Sequence, residues 1–152
     1  MARERPDEIA FTLEPTDADN DVLVQIIRSA NSAAGSGPDG YQPVGFLIKG
    51  PAGETIGGLS GYVLFDWLFV QFLAVPESLR GEGVGTELLG RAESWARERG
   101  LVGMWLDTFA FGAPEFYRTH GFTEFAAIED HPLGSRRHFF LKRLDGGPAA
   151  AS

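Results

Sequence analysis

The sequence has 152 residues, of which 43% are hydrophobic and 22% charged, and its formal net charge is −8. This length and composition predict one globular domain whose core needs no disulfides, and the chain contains no cysteine. The negative charge disfavours nucleic-acid binding, because phosphates select a basic surface, and the lack of cysteine excludes thiolate metal sites and a covalent acyl-cysteine intermediate.

The sequence shows neither the pattern of a signal peptide nor that of a membrane span. The first residues are charged and lack the apolar core of a signal peptide, and no apolar run reaches the roughly 18 residues of a membrane span. We therefore expect a cytoplasmic protein with no membrane partner. A single domain is expected over residues 1–144, followed by a flexible tail over residues 145–152, where small residues dominate.

The pattern of apolar residues predicts strands and helices in the order β-α-β-β-β-α-β-α-β-β. The predicted elements are a strand at Ile9–Leu13, a helix from Asp17 to about Ser29, strands at 44–49, 55–65 and 67–75, a helix at about 83–99, a strand at 104–109, a short helix at 114–120, and strands at 122–128 and 138–144. The strand at 67–75 is apolar on both faces, so we expect it to be central in a mixed sheet.

A glycine-rich segment joins that strand to the next helix. Gly81, Gly83 and Gly85 permit a tight turn, and Arg80 adds a positive charge. Amides at a helix N-terminus carry partial positive charge and can bind phosphate. The segment lacks the Lys-Ser/Thr of a Walker loop and the βαβ context of a dinucleotide fingerprint, so these residues alone leave a phosphate site and a plain helix-start turn equally open. Glu82 is an anion in the same segment, and we expect its side chain to face solvent.

Two segments resemble the motifs of the GNAT N-acetyltransferase superfamily. The stretch from Leu73 to Leu89 resembles motif A, whose core pattern Arg/Gln-x-x-Gly-x-Gly/Ala is met by Arg80, Gly83 and Gly85. The stretch Ala-Pro-Glu-Phe-Tyr-Arg-Thr-His-Gly-Phe over residues 113–122 resembles motif B, Ala-x-x-x-Tyr-x-x-x-Gly-Phe. The order of elements also agrees, and residues 106–109, 129–134 and 137–142 resemble a small, mostly uncharacterised bacterial subgroup of the superfamily.

The resemblance implies an α/β fold of the GNAT acyl-CoA N-acyltransferase type, with a mixed, mostly antiparallel sheet of about six or seven strands and about four helices. It implies an N-acetyltransferase that moves an acetyl group from acetyl-coenzyme A (acetyl-CoA) to a primary amine of a small molecule, by direct attack in a ternary complex. A homodimer is common in the superfamily. Two alternatives stay open: a catalytically weak, regulatory acyl-CoA-binding module, and acetylation of a protein lysine or N-terminus. Ala110 and Gly112, where relatives often carry Asn and Gln, support the weak module.

The resemblance also assigns roles to residues. Tyr117 is expected near the coenzyme sulfur as general acid, because a phenol can donate a proton at neutral pH. The alternative for Tyr117 is a core aromatic residue beside Phe116 and Phe122. The residues expected to contact the coenzyme, from the pantetheine arm to the pyrophosphate, are Leu73, Ala74, Val75, Arg80, Gly81, Glu82, Gly83, Val84, Gly85, Thr86 and Phe116.

The reaction also needs a proton acceptor, because an alkylamine with a pKa near 10.4 is almost fully protonated at neutral pH. Asp107, inside a strand, and Asp130, in the loop before the last strand, are the named candidate bases. A salt-bridged or turn-forming role is the alternative for each, and a chain of water molecules could replace a dedicated base. Further candidates are Glu129, His131 and His138.

The remaining histidines and aromatic residues give weaker signals. The three histidines are scattered and predict no metal site. His120 precedes a helix-ending glycine, where a cation would complement the helix dipole. Most of the aromatic residues around the proposed cleft are expected in the core, with a few free to shape an acceptor pocket. These aromatic residues are Trp67, Phe69, Phe72, Trp105, Phe109 and Phe111.

Overall fold

The computed structural model describes residues 8–149. The chain divides into two compact units, Met1–Pro38 and Asp39–Ser152. The described part of the first unit contains one helix, α1 (Asp17–Ala33). Thr16 and Asp19 form a capping box that fixes its start. The helix continues past the predicted end at Ser29, and its apolar side chains are exposed.

The strand predicted at Ile9–Leu13 is wrong. Residues 8–16 contain no strand, and the side chains of Ile9, Phe11 and Leu13 are exposed. Alternation of apolar and polar residues indicates which side chains would share a face if a strand formed. A strand forms, however, only where its amides and carbonyls find a neighbouring strand, and all six strands in the described part of the chain pair among themselves.

The second unit is a six-stranded sheet with two α-helices. Its elements are β1 (Gln42–Lys49), β2 (Thr55–Leu64), β3 (Trp67–Ala74), α2 (Val84–Glu98), β4 (Gly103–Phe109), α3 (Pro114–Thr119), β5 (Thr123–Glu129) and β6 (Arg136–Arg143). A single 3-10 turn, Glu77–Leu79, lies between β3 and α2. These bounds lie close to the predicted ones.

The strand order is β1-β2-β3-β4-β6-β5. Only β3 and β4 are parallel, and every other neighbouring pair is antiparallel. The prediction of a mixed, mostly antiparallel sheet is therefore confirmed, and so is the central place of β3. Within residues 8–149 there are three α-helices: α1 in the first unit, and α2 and α3 in the second unit with the sheet.

One face of the sheet and the apolar stripe of α2 form the core. Leu88, Leu89, Ala92 and Ala96 are buried at helical spacing. They pack against the buried side chains of the sheet, which are Leu59, Val63, Leu68, Val70, Met104, Leu106 and Phe140. The polar side of α2 carries the ion pairs Glu87–Arg91 and Glu93–Arg97, each between residues four positions apart.

The expectation that most of the cleft aromatics belong to the core is wrong. Trp67, Phe69, Trp105 and Phe109 are half-buried, and Phe72 and Phe111 are exposed. In β3 and β4 the residues that alternate with Phe69 and Trp105 face α2, so these two rings lie on the opposite face. There they stack on each other, with ring centroids 4.2 Å apart.

Candidate functional site

The two central strands separate part of the way along the sheet. β3 and β4 pair only where Trp67–Phe69 meets Gly103–Trp105. Beyond these residues, β3 stays paired with β2 as far as Ala74, and β4 stays paired with β6 as far as Phe109. The facing backbone edges of β3 and β4 therefore border an opening in the middle of the sheet.

A bulge in β3 accompanies this separation. Ser60 pairs with Phe72 and Gly61 pairs with Val70, so Gln71 is an extra residue in β3. A bulge of this kind bends its strand and increases the local twist. A Cβ on Gly61 would collide with the carbonyl oxygen of Phe69, so the bulge requires glycine at this position. The bulge was not predicted. Glycine inside a strand is a sign of a bulge, but β2 contains three glycines, at 57, 58 and 61, and the pattern does not distinguish among them.

The glycine-rich loop lies beyond the end of β3 and leads into α2. Gly81 and Gly83 have φ of +82° and +76°, and nothing lies within 4 Å of where their Cβ atoms would be. The first helical hydrogen bond runs from the Glu87 amide to the Gly83 carbonyl (3.0 Å), so the amides before Glu87 are not used by the helix. The Arg80 Nε donates to the carbonyl of Val75 at 3.4 Å. The side chain of Glu82 is exposed, as expected.

The two motif-bearing segments meet at Gly85. A Cβ there would be 3.5 Å from the Phe116 ring and 3.7 Å from a methyl carbon of Val75. The structure thus brings together the end of β3, the first turn of α2 and the side of α3. These three residues were all predicted to contact the coenzyme.

Tyr117 has a buried ring and an accessible hydroxyl. The residue is 8% exposed, and its ring packs against Phe116, Phe122 and Phe140 with centroids 5.2, 5.9 and 6.1 Å apart. Within residues 8–149 no buried side-chain oxygen or nitrogen lacks a hydrogen-bond partner, and the hydroxyl has none, so it must touch solvent. Burial, with a smaller effect of the Asp107 charge, raises the pKa of Tyr117 above 10.0.

Asp107 forms an ion pair with Arg137. Its Oδ1 accepts from Arg137 Nε at 2.7 Å and also from Nη2. The guanidinium lies over the rings of Phe109 and Phe139, 5.3 and 5.6 Å from their centroids. Asp107 is therefore salt-bridged, which was the alternative to its role as base. Its charge also contributes to the raised pKa of Tyr117, so the carboxylate lies near the candidate acid.

Asp130 lies in the turn between β5 and β6. It has φ of +57°, and its Oδ1 accepts from the Gly134 amide at 3.0 Å. The neighbouring His131 packs edge-on against Phe109, with centroids 5.3 Å apart, so this turn adjoins the end of β4. The other candidate bases are engaged: Glu129 pairs with Arg136, and His138 bonds Glu124 through Nδ1.

A contact between Thr86 and His120 joins α2 to α3, and the sequence analysis missed it. His120 Nε2 lies 3.0 Å from Thr86 Oγ1, and Nδ1 lies 2.7 Å from the carbonyl oxygen of Phe116. The cation that meets the end of α3 is Lys142, whose Nζ donates to the His120 carbonyl at 3.0 Å. No local pattern links residues 34 positions apart, so only the fold could show this contact.

Of the two positions that differ from the relatives, Gly112 is sterically constrained. A Cβ there would lie 2.5 Å from Thr108 Oγ1 and 3.1 Å from the carbonyl oxygen of Phe109, so a larger residue would require Thr108 to move. In the part of the chain that the structure describes, no three His, Asp or Glu side chains are grouped to hold a metal ion. No helix in residues 8–149 is long and apolar enough to cross a bilayer.

The chain matches the model of the Acetyltransferase (GNAT) family over residues 14–122. It is 33% identical to an acetyltransferase of Agrobacterium fabrum over 128 residues, which is 84% of this chain and 93% of that protein. It is 43% identical over 96 residues to the blasticidin-S acetyltransferase of Streptomyces morookaense, covering 62% and 71% of the two chains. The crystal structure of an acetyltransferase from Bacillus cereus superimposes with a TM-score of 0.76 at 34% identity, covering 91% and 98% of the chains. The chain therefore belongs to the GNAT family of acetyltransferases and is an acyltransferase.

Proposed function

We propose that this protein transfers an acetyl group from acetyl-CoA to a primary amine of a small molecule. The observation that carries the proposal is the separation of β3 and β4, with the chain after β3 close to the first turn of α2 and to Phe116, the neighbour of Tyr117. A pantetheine arm contains amides that can bond to the free edge of a strand, as an added strand would. A pyrophosphate needs several donors close together, which a helix N-terminus offers.

The residues of this chain fit such a donor at both ends. Leu73, Ala74 and Val75 lie at the end of β3, where pairing with β4 has stopped, and would bond the pantetheine arm. Around the pyrophosphate, the glycines leave space for close approach, because nothing lies within 4 Å of the missing Cβ atoms of Gly81 and Gly83. The Arg80 charge lies nearby. The donors expected there are the backbone amides of the loop and of the first turn of α2, which belong to Gly81, Glu82, Gly83, Val84, Gly85 and Thr86.

Bound acetyl-CoA would supply an activated thioester. In the proposed reaction the acceptor nitrogen attacks the acetyl carbonyl carbon, the carbon–sulfur bond breaks, and Tyr117 gives its hydroxyl proton to the leaving sulfur. Because the pKa of Tyr117 is raised, its proton is present at every pH at which the enzyme would work. The hydroxyl makes no competing hydrogen bond in the described part of the chain, so it is available to the sulfur.

The acceptor amine must lose a proton before or during attack. Asp107 is the first candidate for the base, because its charge contributes to the raised pKa of Tyr117 and it therefore lies near the candidate acid. Its Oδ1 already accepts a hydrogen bond from Arg137, which competes with the proton of the amine. Asp130 is the second, and water leading to bulk solvent is the third. We infer further that the enzyme works in the cytoplasm on a free amine without a metal ion, and a homodimer is compatible with this mechanism.

An assay of thiol release tests the function directly. Purified protein with acetyl-CoA should release free coenzyme A when a suitable amine is added. The panel should include blasticidin-S, since one relative is named for it, together with polyamines, amino sugars and a lysine-containing peptide. Saturable release with a small amine supports the proposal. Release with the peptide alone would replace the small-molecule acceptor by a protein, and binding of acetyl-CoA without release on any amine would contradict the proposed activity.

A further inference from the structure

His120 lies between the two segments that form the proposed donor site. Its ring bonds the Thr86 hydroxyl in the first turn of α2 and the Phe116 carbonyl in α3. The ring also packs on the Phe116 side chain, with centroids 4.3 Å apart. Phe116 in turn covers Gly85. One imidazole therefore contacts the helix start that would hold the pyrophosphate and the helix that carries Tyr117.

The chemistry of the two bonds fixes the direction of each. A carbonyl oxygen only accepts hydrogen bonds, so Nδ1 must carry the ring hydrogen and donate to Phe116. In the neutral ring Nε2 is then a lone pair, and the Thr86 hydroxyl must donate to it. The carbonyl of His120 accepts from Lys142, so the histidine is held through its backbone as well as its ring. Thr86 is thereby bonded to a residue that is itself fixed.

The loop before α2 needs such an anchor. Two of its residues, Gly81 and Gly83, adopt positive φ, and no atom lies within 4 Å of where their Cβ atoms would be. Glycine has the largest backbone freedom of any residue, so amides in a glycine loop lose more entropy when a ligand orders them. A site that is already ordered binds more tightly, because less ordering has to occur on binding.

We propose that His120 is a positioning residue for the pyrophosphate of the coenzyme. It acts through Thr86, by fixing the first turn of α2 against α3, and it does not touch the ligand itself. This inference rests on the proposed function, since it concerns the same donor site. The proposed phosphate-binding turn and the Tyr117 helix, which are far apart in sequence, thus share one hydrogen-bonded residue.

Two substitutions separate the two ring bonds. In His120→Asn the side-chain amide nitrogen takes the place of Nδ1, so the bond to Phe116 is kept and the bond to Thr86 is lost. In His120→Gln the longer side chain brings an acceptor oxygen close to the position of Nε2, so the bond to Thr86 is kept. Thr86→Val removes the hydroxyl and leaves the backbone amide in place.

Isothermal titration with coenzyme A, together with melting temperatures, decides the question. His120→Asn and Thr86→Val should each raise the dissociation constant about five-fold, the effect of one hydrogen bond, and the double variant should be no weaker than either single one. His120→Gln should stay within about two-fold of the wild type. All four variants, the double variant included, should remain folded at the titration temperature.

Other results would overturn the inference. Wild-type affinity in Thr86→Val would contradict it whatever His120→Asn does, even if that variant folds poorly. Equal weakening in His120→Asn and His120→Gln would assign the effect to the shape of the ring rather than to the bond with Thr86. If the wild type itself does not bind coenzyme A, the proposed function fails and this inference with it. If the wild type binds and Thr86→Val binds equally well, only the inference fails.

Discussion

At the scale of single residues, Tyr117 meets two demands that usually conflict. Its ring is a core side chain, which holds it in one place, while its hydroxyl reaches solvent without a protein partner in the described residues. A catalytic acid needs a fixed position and a free proton, and this arrangement supplies both. The raised pKa keeps the hydroxyl protonated at any pH well below its ordinary value of 10.0.

Tyr117→Phe tests this role with little risk to the fold. The change keeps the ring contacts and removes a hydroxyl that bonds no other described residue, so the melting temperature should hardly change. We expect kcat to fall by about 100-fold or more, the usual size of an acid–base contribution, with an unchanged dissociation constant for acetyl-CoA. In the wild type, the midpoint of any loss of kcat caused by deprotonation of Tyr117 should lie above pH 10.0, because burial raises the pKa of its hydroxyl above that value. A kcat equal to that of the wild type would return Tyr117 to a purely structural role.

Asp107→Asn and Asp130→Asn form a matched pair for the base. If Asp107 accepts the proton, its variant should lose about 100-fold in kcat, and Asp130→Asn should stay near the wild type. An asparagine oxygen at position 130 can still accept from the Gly134 amide, so that variant should keep its stability. The reverse order of the two activities would identify Asp130 as the base. Full activity in both variants would leave the proton to water.

At the scale of elements, Lys142 connects three parts of the second unit. It lies on β6, pairs with Glu93 of α2 and donates to the carbonyl at the end of α3. Burial alone would raise the pKa of Glu93. The hydrogen bond and charge of Lys142, together with Arg97, outweigh burial and lower this pKa below its ordinary 4.5.

Glu93→Gln should therefore show a stability loss that depends on pH. A carboxylate with a lowered pKa stabilises the folded state above its unfolded pKa of 4.5, and this contribution disappears as the pH falls through the folded value. Because the pair is partly exposed, the loss in unfolding free energy at pH 7 should be below about 1 kcal/mol. Urea unfolding from pH 7 down to pH values below 4.5 should show the two proteins converging. A gap that stays constant with pH would show that the charge of Glu93 is not what matters.

The bulge in β3 makes a second prediction at this scale. Gly61→Ala places a methyl group on the Phe69 carbonyl, so we expect a loss of about 3 kcal/mol in unfolding free energy and weaker coenzyme binding. Gly90 is the control, because it lies in α2 with nothing within 4 Å of a new Cβ. Gly90→Ala should stabilise the protein by about 1 kcal/mol through helix propensity. Urea unfolding measures both, and a Gly61→Ala protein as stable as the wild type would contradict the account of the bulge.

Local patterns predict most elements of the second unit, because their periodicity and their turn residues agree with the pairing that the fold allows. The strand at Ile9–Leu13 failed, because alternation carries no information about a pairing partner. The break between β2 and β3 was predicted, but the type of turn was not. Phe65 and Asp66 both adopt positive φ, which aspartate tolerates better than most residues and phenylalanine does not. The bond between Thr86 and His120, like the ion pair of Asp107 with Arg137, joins distant segments and becomes visible only in the fold.

At the scale of the whole molecule, the site must hold an anionic donor on a protein with a net charge of −8. Long-range attraction cannot supply this affinity, because charges of like sign repel. Binding must instead come from short-range donors, which are the amides at the start of α2 and the Arg80 guanidinium. The geometry of the glycine loop is therefore the feature on which the proposed function depends most.

The most direct measurement is isothermal titration of acetyl-CoA into the wild type, Gly83→Val and Gly100→Val. Both glycines have positive φ, +76° and +68°, and open space around the missing Cβ, so a valine should strain the backbone similarly at each. They flank opposite ends of α2, and only Gly83 adjoins the proposed phosphate site. We predict saturable one-to-one binding by the wild type and by Gly100→Val, and none by Gly83→Val. Absence of binding by the wild type at millimolar ligand, or equal binding by all three, would contradict the central claim.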